Sequence, residues 1–163
     1  MRPLTVDDAT ERYWSWLQNG DARKYITAAA RTTGVADVRR FIAERQDRDD
    51  VLFLGIYDKS SGEHIGNIKY EPVDETAGYA VMGVLIGEPS YRGQGVTPEV
   101  LEATGRWLHR TRGIGQIVLG VHADNDAAIR AYEKVGFVRA ATPHIPDPLA
   151  GTLTMVWELR GGA

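Results

Sequence analysis

The sequence predicts a mixed α/β sandwich built around one sheet. Three observations predict it. Short apolar runs with the spacing of strands alternate with longer amphipathic runs. Two of the strand-like runs flank a short polar turn, as in a hairpin. A strand–helix–strand unit contains the glycine-rich segment Tyr91–Val100, YRGQGVTPEV, and such a unit predicts parallel strands with a right-handed crossover. The length of 163 residues fits one domain, 1–163, with a substantial core.

The first part of the chain predicts two helices. Asp7 and Asp8 are suited to cap a first helix over about Ala9–Gln18. Thr33 is suited to cap a second over about Gly34–Gln46. Apolar residues recur on adjacent turns of both segments, which predicts one buried face on each helix.

The middle of the chain predicts three strands. Val51–Tyr57 is a nearly continuous apolar run, and the turn Asp58–Gly62 joins it to a second strand, Glu63–Glu71. A second turn over Pro72–Gly78 leads to the third strand, Tyr79–Gly87.

The second half predicts further helices and strands in alternation. A helix over Pro98–Arg112 places an apolar stripe on one face, formed by Val100, Leu101, Thr104, Trp107 and Leu108. A strand at Ile114–Val121 follows. The next helix covers about Asn125–Val135, with Asp124 or Asn125 as its cap and Gly136 as its stop. Strands near Phe137–Ala140 and Leu153–Leu159 surround a proline-rich loop.

The glycine-rich segment predicts a diphosphate-binding turn. Gly93 and Gly95 allow positive φ and a close approach of a ligand to the backbone. The helix that follows points unpaired N–H groups at one place, and its dipole favours an anion there. Arg92 adds a forked positive charge suited to phosphate. A dinucleotide-binding fold is disfavoured because Pro98 stands at the third glycine of its G-x-G-x-x-G pattern, and no Lys-Ser/Thr pair completes a P-loop.

Composition excludes several other classes. The net charge of −3 gives no support for a nucleic-acid or anionic-membrane partner. The absence of cysteine excludes disulfides and thiol chemistry, and the four scattered histidines have no metal-ligand spacing, so no metal is expected. No apolar run has the length of a membrane span, and the charged N-terminus does not suit a signal peptide. The expected location is therefore cytoplasmic.

A second segment, Val121–Phe137 (VHADNDAAIRAYEKVGF), makes the chain resemble a known family. Together with the glycine-rich segment it resembles the GNAT superfamily of acetyl-CoA-dependent N-acetyltransferases. The matching positions are Arg92, Gly95, Thr97, Asn125, Tyr132, Gly136 and Phe137. The opening RPLTVDDATERYWSWLQNGDARKYI and the runs GNIKYEP and VLIGEPSYRGQG are similar to the branch containing the ribosomal-protein N-terminal acetyltransferases. Val81 departs from the family, because relatives often carry a glutamate there.

The resemblance implies a fold and a cofactor. The implied sheet is mostly antiparallel, with two parallel strands that splay apart at the acetyl-CoA site and helices on both faces. The pantetheine arm would pair with the end of the strand before the glycine-rich segment. The implied cofactor-binding residues are Leu85, Ile86, Gly87, Arg92, Gly93, Gln94, Gly95, Val96, Thr97, Asn125 and Tyr132.

The resemblance also implies catalytic roles. Tyr132 would protonate the departing CoA thiolate, although its spacing alone predicts a core tyrosine. Asn125 would meet the pantetheine while also capping its helix. For the general base we rank Glu71 first among Glu71, Glu88, His64 and His122, because Glu71 is expected to end a strand beside the acceptor. Its alternative interpretation is a solvated carboxylate.

The main hypothesis is acetyl transfer from acetyl-CoA to a primary amine of a small molecule, such as an amino sugar. A protein N-terminus is the alternative acceptor, and a non-catalytic CoA-binding module, suggested by Val81, is the alternative of another class. The enzyme would act as a monomer or homodimer. Near the acceptor we expect Trp14, Trp16, Tyr25 and Arg31, although core packing is the expected role of the tryptophans.

Overall fold

The computed structural model describes residues 1–25 and 31–159. These residues form the predicted helices and strands, together with a short first strand and a short second helix that the sequence did not predict. In chain order they are β1 (Arg2–Pro3), α1 (Glu11–Gln18), α2 (Gly20–Tyr25), α3 (Val35–Gln46), β2 (Leu52–Tyr57), β3 (His64–Asp74), β4 (Tyr79–Ile86), α4 (Val96–Arg112), β5 (Gln116–His122), α5 (Asp126–Val135), β6 (Val138–Arg139) and β7 (Thr152–Glu158).

The strands of the described residues form one mostly antiparallel sheet in the order β1-β2-β3-β4-β5-β7-β6. Strands β4 and β5 are parallel, as predicted, and pair only from Tyr79↔Gln116 to Val81↔Val118. Both strands continue beyond that point, and β5 stays paired with β7 through His122↔Thr152. The mixed α/β fold with one parallel pair in an otherwise antiparallel sheet is therefore confirmed.

The backbone divides into two compact units. The first comprises Met1–Lys69 and Val84–Arg92, and the second comprises Tyr70–Gly83 and the chain from Gly93 onwards. The core of the first unit is built on one face of α1 and α3, whose apolar residues recur at helical spacing. Its buried side chains include Leu4, Tyr13, Trp16, Leu17, Val38 and Ile42.

The second unit has its core on α4 and β5. Thr104 is buried on α4, and its hydroxyl donates to the Val100 carbonyl at 2.8 Å. The Tyr70 hydroxyl therefore donates to Thr104 Oγ1, 2.7 Å away. One predicted core residue is wrong: Trp107 is 45% exposed. Gly105 takes its place on the buried stripe, because an added Cβ there would lie 2.6 Å from the Trp157 ring.

Two predicted helix caps are also wrong. Thr10 caps α1, since its side chain accepts a bond from the Tyr13 N–H. Gly34 is the N-cap of α3, and Thr33 instead donates through both its backbone N–H and its hydroxyl to Asp37. Ser, Thr and Asp share the same capping chemistry, so the sequence left more than one candidate at each start.

The strand β3 is longer than predicted. It runs through Glu71 and Pro72 to Asp74, so Glu71 does not end it, and the turn covers only residues 75–78. Asp74 closes that turn, because its carbonyl accepts from Gly78 N and its side chain accepts from Ala77 N. The predicted end at Glu71 is wrong because this strand accommodates Pro72, although proline usually interrupts a strand.

Asp8, expected to cap α1, instead links three segments of the first unit. It lies in a short 3₁₀ turn, Val6–Asp8, and is only 8% exposed. Arg2 donates to both of its oxygens at 2.6 and 2.8 Å, and the Thr5 N–H and Tyr57 hydroxyl donate at 2.8 and 2.9 Å. Burial by itself raises the Asp8 pKa, but these donors outweigh it and hold the pKa well below its usual range.

We expect Asp8→Asn to lower the free energy of unfolding by about 1–3 kcal/mol at pH 7. The folded-state pKa lies below the unfolded value, so this contribution is present above about pH 3.9 and declines as the pH falls further. Urea unfolding at pH 7 and pH 3 measures both effects, with the exposed neighbour Asp7→Asn as control. An equal loss at the two pH values would contradict the electrostatic explanation.

Candidate active site

The glycine-rich segment ends in an open helix start. Helix α4 has Gly95 as its N-cap, with φ of 82°, and Gly93 also has positive φ, at 72°. No side chain caps the first turn, which leaves the N–H groups of Val96 and Thr97 without a side-chain acceptor. Apart from the glycine and its two chain neighbours, no atom of the described residues lies within 4 Å of a Cβ added at Gly93 or Gly95. This is the geometry that binds an anion at a helix N-terminus.

Arg92 connects this segment to the end of β4. Its Nε donates to the Ile86 carbonyl at 3.0 Å and its Nη2 to the Gly87 carbonyl at 3.1 Å. The guanidinium therefore fixes the direction in which the chain leaves the strand. An arginine carries five N–H donors, so a phosphate contact by Arg92 stays a prediction alongside this structural role.

The end of β4 is packed closely within the first unit. The Ile65 carbonyl accepts from both Gly87 N and Glu88 N, at 2.9 and 3.2 Å. A Cβ on Gly66 would lie 2.4 Å from the Leu85 carbonyl oxygen, and a Cβ on Gly87 would lie 2.0 Å from the Trp16 ring. Both glycines are therefore needed for close approach, and Trp16 covers the backbone at Gly87.

Helix α5 presents two predicted site residues in the second unit. Asn125 is its N-cap, and its Oδ1 accepts from the Ala128 N–H at 3.3 Å, so the capping role is confirmed. Its side-chain amide nitrogen remains a donor that capping does not use. Gly136 ends the helix with φ of 113°, as predicted.

Tyr132 is buried on α5 with 8% of its surface exposed, and its ring lies 5.7 Å from that of Phe137. Burial raises the pKa of its hydroxyl to about 12, so the hydroxyl is protonated at neutral pH. Within residues 1–25 and 31–159 no hydrogen bond to this hydroxyl is seen. The side chain thus combines a packed ring with a hydroxyl that keeps its proton at neutral pH.

The predicted base candidates differ in their surroundings. Glu71 lies half-buried within β3 rather than at its end, which removes the reason for ranking it first. Glu88 accepts from Trp16 Nε1 at 3.0 Å and from Arg12 Nε at 2.7 Å. The indole N–H, with help from Arg12, lowers the pKa of Glu88 and makes it a weaker base.

The two histidine candidates occupy different units. His64 stands at the start of β3 among aromatic side chains, and burial lowers its pKa. His122 ends β5, with its Nδ1 3.3 Å from Asp124 Oδ1. The sequence did not single out His144, yet its ring stacks on Tyr79 with centroids 3.6 Å apart, which ties the proline-rich loop to the start of β4.

The residues expected near the acceptor differ in how far they are buried. Trp16 is 4% exposed and belongs to the core of the first unit, as expected for a tryptophan. Trp14 is half-buried and packs against the same core, whereas Arg31 is exposed. Their proposed role in acceptor binding stays a prediction.

A family comparison agrees with these features. The profile described as an acetyltransferase (GNAT) domain matches residues 1–138. The chain belongs to the GNAT acetyltransferase family. It is therefore an acyltransferase of the class that uses acetyl-CoA as the acetyl donor.

Two curated relatives place this GNAT acetyltransferase among diverse members. An N-acetyltransferase 9-like protein of Caenorhabditis briggsae is 23% identical over 141 residues, which are 80% of this chain and 70% of that protein. The mycothiol acetyltransferase of Corynebacterium aurimucosum is 36% identical over 102 residues, 58% of this chain and 32% of that protein. The matched region is thus about a third of the mycothiol enzyme.

Solved GNAT structures share the fold. The spermidine N-acetyltransferase of Vibrio cholerae with CoA and spermine gives a TM-score of 0.80 at 15% identity, covering 97% of this chain and 94% of that one. The ribosomal L7/L12 alpha-N-protein acetyltransferase RimL with coenzyme A gives 0.82 at 16%, covering 97% and 92%. The aminoglycoside acetyltransferase AAC(6')-Ib with coenzyme A gives 0.75 at 24%, covering 96% and 92%.

Within the described ranges of the GNAT chain, no helix is both long enough and apolar enough to cross a membrane.

We expect Gly95→Val to weaken CoA binding by at least tenfold, because a branched side chain disfavours positive φ and covers the open start of α4. Gly113→Val is the matched control. Gly113 lies at the other end of the same helix, with φ of 66° and equally open surroundings. Calorimetric titration with CoA compares the two folded variants. Equal affinities would show that backbone strain alone, and no ligand contact, accounts for the effect of the Gly95 variant.

Proposed function

We propose that this protein transfers acetyl directly from acetyl-CoA to a primary amine of a small molecule. The observation that carries the proposal is the pairing of an uncapped, glycine-bounded start of α4 with the buried, protonated Tyr132 on α5. The first suits the diphosphate of a CoA donor, and the second suits protonation of its leaving thiolate. The chain has no cysteine, which supports direct transfer over an acyl-enzyme formed on a thiol.

The donor contacts are proposed residue by residue. The N–H groups at Gly93, Gln94, Gly95, Val96 and Thr97 would bind the diphosphate, with Arg92 adding charge to that end of the site. Leu85, Ile86 and Gly87 would meet the pantetheine arm along the end of β4, and the Asn125 amide would meet it from the start of α5. Pro98, within the first turn of α4, has no N–H to contribute.

The reaction requires a neutral amine. An alkyl amine with a pKa of about 10 is mostly protonated at pH 7, so only its neutral fraction can attack. The attacking nitrogen becomes cationic, and a base must then receive one of its N–H protons. The thioester oxygen becomes negative in the same step, and a backbone N–H at the end of β4 would stabilise it. The thiolate then leaves and takes the Tyr132 proton.

The choice of a small amine rests on relatives rather than on charge. Among the solved structures with this fold, the Vibrio cholerae enzyme is a spermidine N-acetyltransferase bound to spermine, and AAC(6')-Ib is an aminoglycoside acetyltransferase. An amino sugar is the favoured acceptor. A protein N-terminus is the second candidate, since RimL, an alpha-N-protein acetyltransferase, gives a TM-score of 0.82.

A screen of purified protein with acetyl-CoA against pooled amines, with release of free thiol as the readout, tests the proposal. The pools are polyamines, amino sugars, simple alkyl amines and short peptides with free N-termini. We expect turnover with a non-peptide pool. Turnover with peptides alone would identify a protein N-terminus as the acceptor. CoA binding without turnover in any pool would show that the protein is a non-catalytic CoA-binding module.

We expect Tyr132→Phe to keep the fold and CoA affinity but to lower turnover by about 10²-fold or more, because a positioned acid is lost. The loss is expected to shrink for an acetyl donor whose leaving thiol has a lower pKa, since that thiolate departs without a proton. Turnover with the two donors measures both effects.

Tyr70→Phe is the matched control for the tyrosine test. Tyr70 is another buried tyrosine of the second unit, but its hydroxyl is bonded to Thr104. Its loss is expected to lower stability without any dependence on the donor. Equal losses with both donors in Tyr132→Phe would assign that hydroxyl to positioning, and an unchanged rate would leave Tyr132 a packing residue.

A further inference from the structure

His64 lies in an aromatic pocket of the first unit. Its ring stacks on Tyr57 with centroids 4.8 Å apart and planes at 19°. Trp16 and Tyr13 of α1 meet it edge-on, at 4.9 and 5.9 Å. The ring orientation is therefore fixed by packing on several sides. The same Trp16 ring covers the backbone at Gly87, so His64 is one side chain away from the end of β4.

The hydrogen bonds of His64 determine which ring nitrogen carries the proton. Its Nε2 lies 2.7 Å from Asn67 Oδ1 and 3.0 Å from the Gly66 carbonyl oxygen. A backbone carbonyl only accepts, so Nε2 must donate. The amide of Asn67 then presents its oxygen to the same proton. Two acceptors at Nε2 leave the lone pair of the neutral ring on Nδ1.

We propose that His64 is the general base of the acetyl transfer, receiving the amine proton on Nδ1 directly or through one water, with Asn67 as its positioning residue. This inference rests on the proposed acetyl transfer and names the group that accepts the proton. No hydrogen bond to Nδ1 occurs among the residues that the structure describes. The nitrogen can therefore accept a proton without breaking an existing bond.

The reaction step balances without any other reactant. The amine nitrogen attacks the thioester carbonyl carbon, and the carbonyl π electrons move to oxygen. The nitrogen, now bonded to that carbon and cationic, gives one N–H proton to His64 Nδ1. The oxygen electrons return, the C–S bond breaks, and the thiolate leaves with the electron pair of that bond. His64 ends the step as an imidazolium and releases its proton to solvent.

The charges around His64 determine the pH at which it can act. Burial lowers its pKa, and the Arg2 charge adds to that lowering. The bonds to Asn67 and Gly66 and the negative charge of Asp8 oppose it. Tyr57, stacked on the ring, has a pKa raised to about 12, first by burial and then by its bond to Asp8. Tyr13 is likewise neutral near pH 7, with its pKa raised by burial.

The pH profile of kcat/KM tests the proposal. Between the pKa of His64 and that of the amine, log kcat/KM is expected to rise with slope 1, because only the free amine fraction changes. Below the lowered pKa of His64 the ring also becomes protonated, and the slope is expected to increase to 2. In His64→Gln the slope is expected to stay at 1, with kcat lowered by about 10²-fold or more.

Two further variants separate catalysis from structure. His109→Gln is the control, since His109 is also half-buried but lies on α4 and bonds to the Ile114 carbonyl just beyond that helix. Its profile is expected to match the wild type. Asn67→Asp places a carboxylate beside Nε2, which raises the pKa of His64 and is expected to move the change of slope to higher pH. An unmoved point would show that His64 is not the group whose protonation changes the slope, and would overturn the proposal.

Nitrogen NMR of the histidine rings in the unmodified protein provides a readout without turnover. The expected result is a neutral His64 with the proton on Nε2, and detection of the Nδ1–H form would overturn the proposal. A change of slope that persists in His64→Gln would also overturn the proposal. If kcat fell in Glu71→Gln but not in His64→Gln, the base would be Glu71. If no amine is acetylated, the proposed function fails, while the NMR result still decides the His64 geometry.

Discussion

The Ile65 carbonyl holds the end of strand β4, and the aromatic pocket around His64 depends on this contact. Ile65 accepts two successive N–H groups, from Gly87 and Glu88, so the strand stops at a fixed point. Arg92 then binds the carbonyls on the other side of the same backbone. Because Gly87 has no Cβ, the Trp16 ring can lie on that backbone. Helix α1 thereby contacts the strand end through Trp16. The same Trp16 ring forms one side of the aromatic pocket around His64.

The two helix starts of the second unit differ in whether a side chain accepts from their N–H groups. Helix α5 is capped by the side chain of Asn125, which accepts from Ala128 N. Helix α4 begins after Gly95, which has no side chain to offer. A Ser or Asp there would have to give up the φ of 82° to cap the helix. Its side chain would then occupy the N–H groups that an anion needs. The start of α4 therefore lacks the stabilisation of a side-chain cap, but its N–H groups remain open to a ligand.

Much of this fold could be predicted from periodicity and glycine placement. The strands β2, β4, β5 and β7 and the helices α4 and α5 lie within two residues of their expected bounds. The short β1 and the helix α2 were not predicted, because two or six residues carry too little periodic signal. The stripe on α4 was misassigned at Trp107 because spacing alone does not reveal that the Trp157 ring fills the place beside Gly105.

In the candidate site, too, some features could be predicted from the sequence and others could not. Gly93, Gly95, Asn125 and Gly136 follow from local backbone chemistry, which a sequence carries directly. The state of His64 does not, because it depends on side chains from elements far apart in the chain.

Availability rather than basicity distinguishes Glu88 from His64 as a proton acceptor. The ordinary pKa of histidine exceeds that of glutamate by about two units, or about 2.7 kcal/mol of proton affinity, yet both groups have lowered values here. Glu88 Oε1 already accepts from Trp16 and Arg12, so protonation there would weaken two charge-assisted bonds. One of these bonds fixes the indole that covers Gly87. Protonation of His64 at Nδ1 keeps both bonds at Nε2, and the positive charge strengthens them. The arrangement that holds the strand end is therefore preserved when His64 receives the proton and is disturbed when Glu88 does.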